Sequence, residues 1–373
     1  MNKYEHIFNV LRGEIEEGKF AGKRRLPSEA ELCLRFKVSR PTAARALREL
    51  QQIGKIERKA GSGSYLSARG SLPPLKLGLF VPGLGNTEIL DPICNEIIRF
   101  AQSLSFTVLQ EDSTNPIQDG PHALQICKQL IEIPVAGVFF APIEAVPSRS
   151  VWNRRIANEF LKNGIPLLLL DRDIDEFPRR SEFDLLGIDN VAAGIEITNH
   201  LIDQGARSIC FLAKEHYPST TDLRIMGCRE AIRKSRENLK DVRSHFGDPG
   251  DMEFVRQMLE KDKPDAVLCS NDQTAALLIR TLGQLQLRVP ADIAVAGFDD
   301  VQYATLLAPP LTTIGQPCRE IGRSAVQTLL ERISNPSLPP RQILHSHQLM
   351  MRQSTDIRSA AQSHNRHPLP QLK

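Results

Sequence analysis

From Leu75 onward the chain repeats one texture. Short apolar runs, "LKLGLFVP", "FTVLQED", "GVFFAP", "IPLLLLD", "DLLGID", "SICFLAKE", "DAVLCSND" and "IAVAGFD", are separated by amphipathic stretches. A run that is apolar at nearly every position is buried on both faces. That is the signature of parallel strands covered by helices, so the pattern predicts an α/β fold. "NVAAGIEITNHLIDQG" reads as one intervening helix, closed by Gly205. About 275 residues of this pattern exceed one comfortable core, and two lobes of similar build are expected.

The 373 residues suggest two or three domains, and 41% hydrophobic with 24% charged residues suits a soluble globular chain. No apolar run reaches the roughly 18 residues of a membrane span. The opening "MNKYEHIFNV" lacks the apolar block of a secretory signal, so a cytoplasmic protein without membrane contact is expected. Seven cysteines are scattered with no C-x-x-C pair, which predicts free thiols and neither a disulfide framework nor a metal site. Charge is unevenly placed. Fifteen Lys/Arg against eight Asp/Glu give the first 70 residues +7, and the total of +3 leaves −4 for the rest. A small basic head on a mildly acidic body is consistent with a nucleic-acid surface.

The head supports that reading locally. Ile7, Phe8, Val10, Leu11 and Ile15 have helical spacing. Ser28 and Glu31 form an S-x-x-E capping box for a second helix. "KVSRPTAARALREL" gives a third, with Ser39 as N-cap and Pro41 in its first turn. On its wheel Ala43, Ala46, Leu47 and Leu50 share one face, and Arg45 and Arg48 lie on the other. Ile56 and Tyr65-Leu66 then read as two strands around a Gly-Ser-Gly tip. There Lys59, Gly61 and Gly63 can lie along a phosphate backbone. Three helices and a basic wing make a winged helix-turn-helix, whose third helix enters the major groove.

"LPSEAELCLRFKVSRPTAARALRELQQIGKIERKAGSGSYL" resembles the GntR-family DNA-binding domain, with its LPSE-x-EL segment, VSR-x-T helix and G-x-G wing. The resemblance places Arg40 and Thr42 at DNA-contact positions. With Ser28, Ser39, Arg45, Arg48, Lys59, Gly61 and Gly63 they form the candidate DNA-binding set. The chain departs from the pattern at Ala30 and Ala44, where relatives carry arginine, so its operator is expected to be its own.

In the body, strands end in polar residues: Asp171-Arg172, Asn271-Asp272 and Asp299-Asp300. Ligands of open α/β sheets bind beyond the carboxyl ends of strands, and carboxylates and amides there suit a polyhydroxylated molecule. The ordered segments "IPLLLLDR", "GIDNVAAGIEITNHLIDQGARSICFL", "RIMGCREA", "PDAVLCSNDQTAALLI", "VPADIAVAGFDD" and "APPLTTIGQP" resemble the effector domain of the LacI/GalR family, which is related to periplasmic sugar-binding proteins. The resemblance implies two α/β lobes joined by crossing strands, with a sugar in the cleft. It carries ligand contacts onto Asp171, Arg224, Asn271 and Asp299, with Arg172 and Gln316 beside them. Cys318 stands where relatives can carry an aromatic residue, and Ala141 where a polar contact is expected. Trp152 reads as packing.

The expected organisation is therefore a winged helix-turn-helix domain at 1–67 and a linker "ARGSLPP" at 68–74. A two-lobed, periplasmic-binding-protein-like α/β domain follows at 75–352, and a flexible tail at 353–373. The combination resembles arabinose-repressor-type regulators. It implies a DNA-binding repressor and not an enzyme, and the sequence carries no nucleophile elbow, phosphate loop or metal cluster. Its expected partners are an operator of palindromic form, a sugar effector and a second copy of the chain. An uptake-type sugar-binding protein is the competing reading, and the basic head argues against it.

Overall fold

The computed structural model describes residues 3–17, 19–20, 25–52, 54–59, 63–66, 75–81, 88–110, 119–144, 146–235, 239 and 241–357. The head comprises α1 (Lys3–Glu16), α2 (Glu29–Phe36), α3 (Arg40–Gln52) and the antiparallel pair β1 (Ile56–Lys59) and β2 (Gly63–Leu66). Ile7 and Leu11 of α1, Leu32 of α2, and Ala43, Ala46, Leu47 and Leu50 of α3 close a small core. The expected capping box is present: Glu31 N donates to Ser28 Oγ at 3.3 Å, and Ser28 N to Glu31 Oε2 at 2.6 Å.

The first lobe begins with β3 (Lys76–Phe80), α4 (Leu90–Ser103), β4 (Thr107–Gln110) and α5 (Gly120–Glu132). It continues through β5 (Val135–Phe140), α6 (Arg149–Lys162), β6 (Leu167–Leu170) and β7 (Asp184–Ile188). The chain then crosses through α7 (Asn190–Gln204), which is stopped by Gly205 at φ 109°. The second lobe holds β8 (Ile209–Ala213), α8 (Ser219–Lys234), β9 (Arg243–Phe246) and α9 (Met252–Asp262). After these come β10 (Ala266–Cys269), α10 (Asp272–Gln284), β11 (Ala294–Asp299) and β12 (Thr312–Gly315). Helix α11 (Cys318–Ser334) returns to pack on α4, β13 (Gln342–His345) joins the first sheet, and β14 (Gln348–Met350) joins the second. The chain thus passes between the lobes three times.

Strand order is β13-β7-β6-β5-β3-β4 in one sheet and β14-β12-β11-β10-β8-β9 in the other. All pairings are parallel except β12 with β14. The four leucines of β6 are buried, as a strand covered on both faces requires. Asp184 is fully buried at the head of β7. Arg332 of α11 forks onto it with two 3.0 Å bonds, and Arg341 N donates to it at 2.9 Å. This charge-assisted set ties the returning helix and β13 to the first lobe. Trp152 covers the start of α5, where a side chain at Gly120 would strike its ring, so it is packing.

One boundary needs correction. Residues 353–357, expected in a flexible tail, belong to the folded body. Ser354 Oγ accepts from Thr312 N at 2.8 Å and donates to Val295 O at 2.6 Å. Thr355 Oγ1 lies 2.7 Å from Thr312 Oγ1 and 2.8 Å from His200 Nε2. Periodicity missed this segment because hydroxyls, not apolar side chains, anchor it. The linker 68–74 and the chain beyond 357 lie outside the described residues. Ser354→Ala leaves two buried backbone groups without partners and should cost about 1–3 kcal/mol. Urea denaturation checks this, and an unchanged midpoint would contradict the packing.

Candidate functional site

The head presents one polar helix face. Arg40 and Arg48 on α3 are exposed, Arg40 with 80% of its side chain in solvent. Glu29 at the start of α2 accepts from Arg40 Nε at 3.2 Å and from Arg58 Nη2 of β1 at 2.5 Å. One carboxylate therefore holds a guanidinium of the third helix and one of the wing together. Arg45 turns aside: its guanidinium lies 3.8 Å from the Tyr4 ring centroid, and its Nε is 3.3 Å from Glu49 Oε1. It flanks the face where Arg48 faces outward. The Ser39 and Thr42 hydroxyls are 2.8 Å apart at the start of α3. Ser28, a candidate contact, spends its hydroxyl on capping α2. Gly63 has φ +119°, a conformation that favours glycine at the wing turn. Gly61 and the side chain of Lys59 lie outside the described residues.

In the body, the strand ends converge. Arg224 of α8 is buried and donates from Nε to Asn190 Oδ1 at 2.9 Å and from Nη1 to the Ser270 carbonyl at 2.5 Å. Its Nη2 lies 3.6 Å from Asp299 Oδ1, and its Cζ 4.4 Å from the Phe298 ring centroid. Gln316, just after β12, donates from Nε2 to the same Asp299 oxygen at 2.9 Å, and its Oε1 is buried with no partner among the described residues. Asp171 and Arg172 follow β6 of the first lobe; Arg172 Nε lies 3.2 Å from Asp171 Oδ2, and Nη1 pairs with Glu144. Asn271 caps α10 by accepting from Thr274 N at 2.9 Å, beside the Ser270 carbonyl that Arg224 uses.

The backbone is unusual where the acids sit. Asp171 has φ 69°, Asp299 φ 113° and Asp300 φ 51°. Non-glycine residues in this region are held there by surrounding structure, and such positions cluster at ligand sites. Asp272 supplies part of the hold at β11: it accepts from Thr313 Oγ1 at 2.6 Å and Val301 N at 3.0 Å. Gly297 is needed there, because a Cβ would meet Asp272 Oδ1 at 2.4 Å.

Other cleft residues were not legible from strand ends: Glu144, Asn190 and Ser270, and Glu88 with Tyr303. The Tyr303 hydroxyl donates to Glu88 Oε1 from the second lobe to the first, and Arg149 of α6 donates to the Tyr217 carbonyl. These two hydrogen bonds join the lobes directly. Cys318 is half-buried, and burial pushes its thiol up to about 12. Ala141 is fully buried at the end of β5 and offers no polar group.

Burial pushes the Asp171 carboxyl up to about 6, opposed by the Arg224 charge and reinforced by Asp299. Burial likewise brings Arg172 down to about 9. A carboxyl raised in the folded state favours the protonated form. Its stabilising contribution is complete below the ordinary carboxyl value of about 4 and is lost as pH rises through about 6. Asp171→Asn removes that charge, so the variant should gain on wild type by about 1.4 kcal/mol between pH 5 and pH 7.5, the part of the loss that falls within that window. Denaturant midpoints at the two pH values check this; an equal offset at both would contradict it.

Comparison with known proteins agrees with both parts. Residues 3–66 match the family described as bacterial regulatory proteins, gntR family, and residues 198–355 match the periplasmic binding protein-like domain. The arabinose metabolism transcriptional repressor of Geobacillus stearothermophilus is 26% identical over 95% of this chain and 97% of its own. The ribose operon repressor of Escherichia coli (strain K12) is 34% identical over 48% of this chain and 56% of its own, so the chain spans just over half of that relative. The solved complex of the transcriptional regulator CelR with cellobiose superposes with a TM-score of 0.63 at 21% identity, over 85% of this chain and 91% of that one. At that identity the likeness speaks for the fold. The chain is therefore similar to the gntR family of bacterial regulatory proteins in its head, and to the periplasmic binding protein-like domain over residues 198–355 of its body.

Proposed function

We propose that the chain is a sequence-specific transcriptional repressor whose hold on DNA is set by a sugar in the cleft of its body. The observation that carries this is the convergence of Asp171, Arg172, Arg224, Asn271, Asp299 and Gln316 from both lobes, in a chain whose other end is a winged helix-turn-helix. Carboxylates, an amide and a forked guanidinium can accept and donate hydrogen bonds around a polyhydroxylated ring. The relatives named for arabinose and ribose metabolism support the sugar class.

On this reading residues 1–67 bind DNA, 68–74 link, and the body from 75 onward senses. Arg40, Thr42 and Arg48 face the groove, with Ser39, Arg45 and the wing residues Lys59, Gly61 and Gly63 along the backbone. Two chains pair through their bodies and place two heads on a palindromic operator in the cytoplasm, half-sites one or more helical turns apart. Closure of the lobes around sugar moves α11, which packs on α4. Arg12 of the head donates to Ser103 O at the end of α4, and Leu104 packs on the head core. That gives the body a physical route to the head. Release of DNA on sugar binding is the expected sign.

Arg40→Ala should weaken operator binding roughly tenfold or more, since a good arginine contact is worth about 1–3 kcal/mol. Sugar affinity should not change. Fluorescence anisotropy on selected operator DNA checks this, and undiminished affinity would remove Arg40 from the interface. Asp299→Ala should abolish the response to sugar while DNA binding persists. If sugar still shifts that variant as it shifts wild type, the cleft is not the sensing site.

A further inference from the structure

The cysteine spacing in the sequence predicted no metal site. The fold nevertheless brings Cys210, His245 and Asp262 together, their ligand atoms all within 4.8 Å of one another. Strands β8 and β9 run parallel, with Cys210 opposite Arg243 and Leu212 opposite His245. Side chains alternate along a strand, so Cys210 and His245 share one face of the sheet. The last residue of α9, Asp262, lies against that face. Asp262 Oδ2 is 2.6 Å from His245 Nε2 and 3.8 Å from Cys210 Sγ. Two donors thus converge on one carboxylate oxygen, while Oδ1 faces Arg243 Nη1 at 3.3 Å.

We propose that Cys210 Sγ, His245 Nε2 and Asp262 Oδ2 bind one divalent ion of the zinc class at the outer edge of the second lobe, with water in the fourth position. Thiolate, imidazole and carboxylate together are a borderline-soft donor set. Zinc takes them at about 2.0–2.3 Å, which sets tetrahedral ligand atoms roughly 3.3–3.7 Å apart. The sulfur and the carboxylate oxygen already stand close to that spacing, and the imidazole needs to withdraw by a fraction of an ångström.

Electrostatics favours a cation at this place. Asp262 is buried in the last turn of a helix, where its charge adds to the negative end of the helix dipole. Arg243 answers only one of its oxygens and keeps 66% of its side chain in solvent. β9 is the edge strand of the sheet, so an ion can arrive from that side. Binding releases the thiol proton to solvent and leaves the thiolate on the metal, and the ring proton that Nε2 shows Asp262 passes by way of solvent to Nδ1, which frees the Nε2 lone pair for the ion. The ion would fasten β8, β9 and α9 to one another. Cys210 lies near the amino end of β8, away from the carboxyl ends that form the cleft, so metal and sugar would not compete.

The test uses the full chain, freed of metal with a chelator and titrated with Co²⁺. One equivalent should produce a thiolate-to-cobalt charge-transfer band that Zn²⁺ bleaches, and Zn²⁺ should raise the melting temperature. Cys210→Ser should lose the band. His245→Gln, at a half-buried position that keeps the fold, should bind Co²⁺ at least tenfold more weakly. Absence of the band in folded wild-type protein, or its survival in Cys210→Ser, would overturn the proposal. Cobalt bound without a thiolate band would place the ion elsewhere, for example on His364 and His367 of the C-terminal sequence, and would equally overturn it.

Discussion

Arg224 is the interaction on which the body's architecture turns. A buried guanidinium is costly unless nearly every donor is satisfied. Here the partners come from separate elements: Asn190 at the start of α7, Ser270 after β10 and Asp299 at the end of β11. Satisfying one cation therefore fixes the crossing helix and two strand ends relative to α8. α7 and α8 approach closely enough that Gly194 and Gly227 cannot carry side chains: a Cβ at either would come within 2.3 Å of the other helix's backbone. The same cluster leaves Gln316 Oε1 buried without a partner among the described residues. A hydrogen-bonding ligand completes such a set better than apolar packing can.

The head follows the same logic on a smaller scale. Glu29 gathers Arg40 and Arg58 from different elements before any nucleic acid arrives. Holding flexible guanidiniums in one arrangement lowers the entropy lost when they engage a partner. The alanines on the inner side of α3 let the helix sit close to α1, and its polar side is left for solvent or DNA.

Much of this was legible in the sequence. All eight apolar runs became strands, and Gly205 ended its helix where expected, because burial on both faces and a left-handed cap leave strong local marks. Strands β9, β12, β13 and β14 escaped notice. They are three or four residues long, at sheet edges or between lobes, and "RSHF" and "QILH" carry polar side chains there. The acids at strand ends were readable as candidates because their place in the chain gave them away. Asn190, Glu144 and the Glu88–Tyr303 pair were not, since long-range folding alone brings them to the cleft. Arg45 is exposed, with 57% of its side chain in solvent, and its contact with the Tyr4 ring depends on how α1 packs, which no local pattern reveals.

The central claim is that the cleft and the head are thermodynamically coupled. Operator affinity of the wild-type chain, measured at fixed salt with and without a saturating sugar identified by thermal shift, tests it most directly. Coupling of about 1–3 kcal/mol predicts a change of roughly 5- to 150-fold. Equal affinity in the two conditions, with the sugar bound, would contradict the account.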